Sequence, residues 1–161
     1  MEIYILRHGI AEDPLPGMRD ADRALTPEGV KKLQTVLRRA REAEVKPSVI
    51  VTSPYRRARQ TADVAKEVLR GEGTLVESRS LTPDSSPEAV WDTIREHRSE
   101  PQLMLVGHEP LLGSVYAYLL GCPGLDLDVK KASLGRVDAD RFGAQPRGVL
   151  CWLITPKLAA D

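Results

Sequence analysis

Three short segments carry residue types suited to handling a phosphoryl group: Arg7-His8-Gly9, Ser53-Pro54-Tyr55-Arg56-Arg57-Ala58-Arg59 and Gly107-His108-Glu109. A guanidinium is a planar fork of N–H donors that matches two phosphate oxygens at once. A neutral imidazole offers a nitrogen lone pair that attacks phosphorus and carries the group covalently. Arg7, Arg57, His8 and His108 together therefore suit phosphoryl transfer by positioning and charge neutralisation. No Walker loop accompanies them. Neither Cys122 nor Cys151 is followed six residues on by an arginine, as a Cys-x5-Arg phosphate loop requires, and neither lies in a CxxC pair or near a histidine at zinc spacing.

A histidine taken alone is more often a surface or core residue than a catalyst. His97, in "REHRSE", reads as part of a solvated helix face, and Arg56 and Arg59 also fit an exposed helical face. The other candidates stand apart because each closes or follows an apolar run. "EIYIL" precedes Arg7 and His8, "SVIVT" precedes Ser53 and Arg57, and "LMLVG" precedes His108. Such short, apolar, β-branched runs predict buried strands.

Helical patterns separate them. "LTPEG" predicts a helix start, with Thr26 as cap, Pro27 first and Glu28 complementing the dipole. Val30, Leu33, Leu37 and Ala40 then follow at helical spacing, to an end near Glu44. A second helix follows Pro54, with Ala58, Thr61, Ala62, Ala65, Val68 and Leu69 on one face. "TLVES" is a weak strand. Ser86, Pro87 and Glu88 open a third helix with Val90, Trp91 and Ile94 inward, and a fourth runs through "HEPLLGSVYAYLLG" and is closed by Gly121. "SLGRVDAD" and "GVLCWLIT" predict two late strands, possible partners in a hairpin, with Cys151 a buried thiol and both cysteines structural. "EDPLPGMRDADRAL" is a loop. Strands alternating with helices predict an α/β three-layer sandwich, with a mostly parallel central sheet flanked by helices, in a single domain over residues 1–161. In such sheets ligands bind beyond the carboxyl ends of the strands. That rim is where Arg7, His8, Ser53, Arg57 and His108 would meet, with Gly9 allowing a sharp turn and the helix starts at Pro54 and Pro110 adding N–H groups.

Lys plus Arg and Asp plus Glu are 23 each among 161 residues, so no bulk field draws the chain to nucleic acid or to a membrane surface. No apolar run reaches transmembrane length, and Glu2 and a strand follow Met1 directly, without the pattern of a secretion signal. A cytoplasmic location is the expectation.

"LRHG", "SPYRRARQTA" and "VGHEP", in this order, resemble the histidine phosphatase superfamily, whose fold is phosphoglycerate mutase-like. The short length, "DADRALTPEG" and "LTPDSSPE" resemble its compact SixA-type branch. The resemblance implies that His8 is the nucleophile that becomes phosphorylated. It implies that Arg7 and Arg57 bind the phosphate, and that His108 binds it and stabilises the transition state. Arg23 matches an arginine common in the branch, near the pocket, and Ser53 joins the expected substrate-binding set. No metal and no cofactor is expected. Larger members carry a Glu or Asp general acid after the third strand, where this chain has no clear match; Asp84 and Glu109 are the nearest. An imidazole leaving from a P–N bond needs less help from an acid than an alcohol does. The expected substrate is therefore a phosphorylated protein, such as a histidine-phosphotransfer domain. Two alternatives stand beside it: a phosphatase of small phosphoesters, and a non-catalytic module that binds phosphoproteins.

Overall fold

The computed structural model describes residues 1–161. Its elements are β1 (Glu2–Arg7), α1 (Pro27–Glu42), β2 (Val49–Thr52), α2 (Arg56–Leu69), β3 (Thr74–Glu77), α3 (Pro87–Glu96), β4 (Gln102–Gly107), α4 (Leu111–Leu119), β5 (Leu134–Asp138), β6 (Val149–Ile154) and α5 (Pro156–Ala159). They build one six-stranded sheet in the order β3-β2-β4-β1-β5-β6. The first four strands are parallel, and β5 and β6 add as an antiparallel pair, the predicted hairpin.

Period-two alternation divides β1 between two cores. Ile3 and Ile5 join Leu103, Leu105, Trp91, Ile94, Leu112 and Tyr116 on the α3–α4 side. Tyr4 and Leu6 join Ile50, Met104, Leu33, Leu37, Ala58 and Ala62 on the α1–α2 side. Because β1, β2 and β4 are covered on both faces, they are apolar almost throughout. The caps are as the sequence predicts. Thr26 Oγ accepts from Gly29 N–H at 3.0 Å, and Ser86 Oγ accepts from Ala89 N–H at 3.2 Å.

Several details differ from expectation. α1 ends at Glu42, two residues early. Val30 and Val68 are only half-buried, because they sit at the edges of the stripes formed by Leu33, Val36, Leu37 and Ala40 and by Ala58, Thr61, Ala62 and Ala65. Cys151 is exposed rather than buried, and so is Cys122. The apolar run around Cys151 belongs to β6, an edge strand whose faces are only partly covered. No helix is long and apolar enough to cross a membrane.

Candidate functional site

Strand register assembles the site. β1 and β4 run parallel with Arg7 opposite Gly107, so His8 and His108 leave neighbouring strands side by side. The backbone N–H of His8 donates to the Gly107 carbonyl at 3.0 Å. Thr52 lies opposite Val106, and Ser53 N–H donates to the Val106 carbonyl at 3.0 Å, which brings Ser53 to the same rim. Arg57 follows on the first turn of α2, which starts at Arg56 with Tyr55 as its cap residue.

Gly9 has a different use from the one expected. Its φ is not in the left-handed region, but a Cβ there would lie 2.8 Å from Leu33 Cδ1. The missing side chain lets the His8–Gly9 backbone lie directly on α1. From the other side Thr61 Oγ1 accepts from Gly9 N–H at 3.2 Å and donates to the Arg57 carbonyl at 2.7 Å. Thr61, read as a core-face residue, thus ties the Arg7-His8-Gly9 segment to the helix that carries Arg57.

His8 is buried, and its Nδ1 lies 2.7 Å from the Gly9 carbonyl. A carbonyl only accepts, so Nδ1 carries the proton and Nε2 carries the lone pair. Burial, with the charges of Arg57 and Arg7, pushes the His8 pKa down to about 3. The ring is therefore neutral, with a free nucleophilic nitrogen, at physiological pH.

His108 is also buried, with its ring centroid 5.0 Å from that of His8. Burial first, then neighbouring His8 and Arg57, push its pKa down to about 3 as well. Its Nε2 lies 2.8 Å from Ser53 Oγ. That hydroxyl already accepts from Tyr55 N–H at 3.2 Å and has no other acceptor for its own proton. Ser53 therefore donates to Nε2, and the His108 proton sits on Nδ1, a buried donor with no protein partner. Ser53 is itself wholly buried and touches the site through His108.

The arginines are each held by backbone or side-chain partners. Arg7 Nη1 donates to the Val129 carbonyl at 2.8 Å, and its buried Nε has no partner. Arg57 is buried, with its guanidinium carbon 5.2 Å from the Tyr55 ring centroid. The edge of that ring in turn meets His108 at 5.1 Å. Arg23 Nη1 donates to the Glu12 carbonyl at 3.2 Å. Asp20 links Arg57 and Arg23. Its carboxylate accepts from Arg57 Nη2 at 3.0 Å and lies 2.8 Å from Arg23 Nη2, and its carbonyl accepts from Arg57 Nη1 at 2.8 Å. Desolvation, the largest single influence, raises the Asp20 pKa, and the bonds and charges of Arg57 and Arg23 together outweigh it and hold the pKa below its ordinary value. Arg56 and Arg59 lie outside this group, Arg59 paired with Glu77 at 2.9 Å.

Val129, Asp20 and Tyr55 were not among the expected site residues. Val129 contributes a carbonyl, for which side-chain identity carries no signal. Asp20 looks like its loop neighbours until the fold brings it to α2.

Each candidate acid accepts one hydrogen bond from a neighbour. Asp84 is exposed and accepts from Thr82 Oγ1 at 2.7 Å, a bond that lowers its pKa. Glu109 accepts from Gly113 N–H, which uses an N–H of α4 that the sequence had assigned to the ligand. Glu109 also opens a groove of about 740 Å³ that runs along α4 to Leu125 and Leu127, and neither His8 nor Arg57 lines it. His97 is half-buried rather than fully solvated, with Nδ1 donating to the Thr93 carbonyl at 2.9 Å. No group of three or more His, Cys, Asp or Glu side chains is gathered at metal-binding spacing.

The chain is similar to known proteins. The family model of the histidine phosphatase superfamily (branch 1) matches residues 3–80. An uncharacterised protein of Picosynechococcus is 36% identical over 98% of each chain. The phosphohistidine phosphatase SixA of Escherichia coli is 26% identical over 97% of this chain and 94% of its own. Among solved structures, the protein histidine phosphatase SixA complexed with tungstate superposes with a TM-score of 0.87, at 23% identity over 98% of each chain.

Proposed function

The chain belongs to the histidine phosphatase superfamily and is a phosphatase of that kind, and from this premise we propose that it dephosphorylates phosphohistidine on proteins through a phosphoenzyme on His8. The observation that carries the reading is the bond from His8 Nδ1–H to the Gly9 carbonyl, which leaves Nε2 as a free lone pair beside Arg7, Arg57 and His108.

In the first step Nε2 attacks phosphorus in line. The new P–N bond forms as the bond to the substrate imidazole breaks, and that imidazole leaves with its electron pair and a proton taken up from water. Arg7 and Arg57 neutralise the phosphoryl oxygens, and His108 Nδ1–H donates to one of them. In the second step water attacks phosphorus, the P–Nε2 bond breaks, and neutral His8 returns as inorganic phosphate and a proton form.

The substrate class follows from leaving-group chemistry. An alkoxide must be protonated as it departs, whereas an imidazole is protonated near neutral pH without a dedicated acid. Asp84 accepts from Thr82, Glu109 accepts from Gly113 N–H through one oxygen, and Asp20 is ion-paired, so none of these three carboxylates makes a hydrogen bond toward His8. This favours a P–N bond over small phosphate esters.

The test is incubation with a phosphorylated histidine-phosphotransfer domain, with phosphate release followed and the enzyme quenched for label. Acid-labile, base-stable phosphate is expected on the wild type and not on His8→Ala. Label on a serine or cysteine, or absence of both label and release, refutes the reading.

A further inference from the structure

The arginine that should receive the phosphate is already holding an anion. Both terminal nitrogens of Arg57 donate to Asp20, Nη1 to its carbonyl at 2.8 Å and Nη2 to its carboxylate at 3.0 Å. The two ends of the guanidinium fork thus meet one neutral and one charged oxygen, and only the bond to the carboxylate stands where a phosphoryl oxygen would. Of its three remaining N–H groups, the one on Nε is buried without a protein partner. Arg23, the other arginine expected near the pocket, is engaged by the same carboxylate, with Nε donating to Oδ1 at 2.9 Å. Asp20 itself is exposed, its side chain 57% accessible, whereas the Arg57 side chain is 5% accessible. The partner in this pair that solvent reaches is therefore the aspartate.

Asp20 opens a single turn of 3-10 helix, Asp20–Asp22, so an exchange involves its side chain rather than its backbone. The loop that carries Asp20 is pinned at its neck by a bridge between Ala11 and Leu25 and by Glu12 N–H donating to the Ala24 carbonyl at 2.8 Å. Between these points residues 13–17 are exposed. Beyond Asp20 the tip is fastened to α2 by a 3.5 Å bond from Arg56 to the Asp22 carbonyl. Arg57, by contrast, keeps its position without Asp20, through burial and the Tyr55 ring.

We propose that Asp20 is a selectivity residue of this site, an internal carboxylate that occupies Arg57 and Arg23 in the free protein and exchanges with the phosphoryl group during each turnover. The proposal rests on the assignment of Arg57 to phosphate binding made above. A monoanion gains nothing over the carboxylate it would displace, while a doubly charged phosphoryl group does. The same exchange runs backwards at the end of the cycle. When the P–Nε2 bond has broken, Asp20 returns to Arg57 and displaces inorganic phosphate.

The experiment is titration of the full-length protein with inorganic phosphate, by calorimetry and by phosphorus NMR, on the wild type, Asp20→Asn and Asp22→Asn. Asp22 sits on the same loop but pairs with Arg19 at 2.9 Å, so its variant controls for general loss of loop charge. Removing the carboxylate that competes with phosphate for Arg57 is expected to tighten phosphate binding on the order of tenfold in Asp20→Asn. Phosphate should inhibit turnover of that variant at correspondingly lower concentration, and Asp22→Asn should bind with wild-type affinity. Equal or weaker binding by Asp20→Asn, with the wild type binding phosphate normally, overturns the exchange and makes Asp20 a support for Arg57, while the phosphatase reading stands. Equal tightening in Asp22→Asn also overturns it. If no form binds phosphate and no phosphoenzyme is trapped, the functional reading falls and the exchange falls with it.

Discussion

Ser53→Ala tests the hydrogen-bond logic of the site with almost no change in volume. Ser53 is wholly buried, donating to His108 Nε2 at 2.8 Å and accepting from Tyr55 N–H at 3.2 Å. Each such bond is worth about 1 kcal/mol net, so the variant should lose about 1–2 kcal/mol of stability and remain folded. The catalytic effect is separate. The Ser53 bond favours the His108 tautomer with the proton on Nδ1 by about 1 kcal/mol, or roughly fivefold in population. Without it a large share of the molecules present a lone pair, rather than a donor, to the phosphoryl oxygens. With the two tautomers otherwise equal in energy, the donor form falls from about five-sixths to about half of the molecules, so phosphoenzyme formation should slow by about twofold, well short of the ~100-fold expected for His108→Ala, which removes the proposed transition-state donor altogether. Single-turnover labelling measures the rate, and imidazole nitrogen NMR reads the tautomer. A wild-type His108 protonated on Nε2, or labelling of Ser53→Ala at the wild-type rate, refutes the reasoning. Equal slowing with an unchanged tautomer would assign the effect to packing instead.

Two further outcomes follow from the same contacts. Thr61→Val leaves the buried Gly9 N–H without its acceptor, so it should cost about 1–3 kcal/mol in urea unfolding and slow His8 labelling; a neutral effect on both would show that Thr61 does not hold the His8 segment. His8 and His108 have folded pKa values near 3 against an ordinary 6.5, so between those pH values the unfolded chain binds protons that the folded chain does not. The stability conferred by their neutral burial is fully present above pH 6.5 and is lost as pH falls toward 3, and His8→Gln should flatten that dependence of the urea midpoint. An unchanged slope would mean that His8 is charged in the fold.

What the sequence determined by itself is whatever depends on local pattern and residue chemistry. The apolar runs ending at Arg7, Thr52 and Gly107 marked three strands, and Thr26 and Ser86 marked two helix starts. Parallel packing of those strands then required their polar ends to share one rim, so His8, His108, Arg7 and Arg57 were legible as a group. The tertiary structure decided what each polar atom faces. Hydrogen-bond partners are fixed by three-dimensional approach, not by spacing along the chain. Only the fold could show Gly9 lying on Leu33, Thr61 holding the Gly9 N–H and Ser53 directing the His108 proton. Cys151 failed as a buried thiol for a related reason, since burial depends on the neighbours a strand acquires and β6 has one on a single side. Asp20 is the sharpest case. In sequence it is one acidic residue in a loop rich in Pro, Gly and Asp; in the fold its carboxylate lies on the arginine assigned to phosphate, 37 residues further along the chain. Attraction between opposite charges acts through space, and only the folded chain sets that distance.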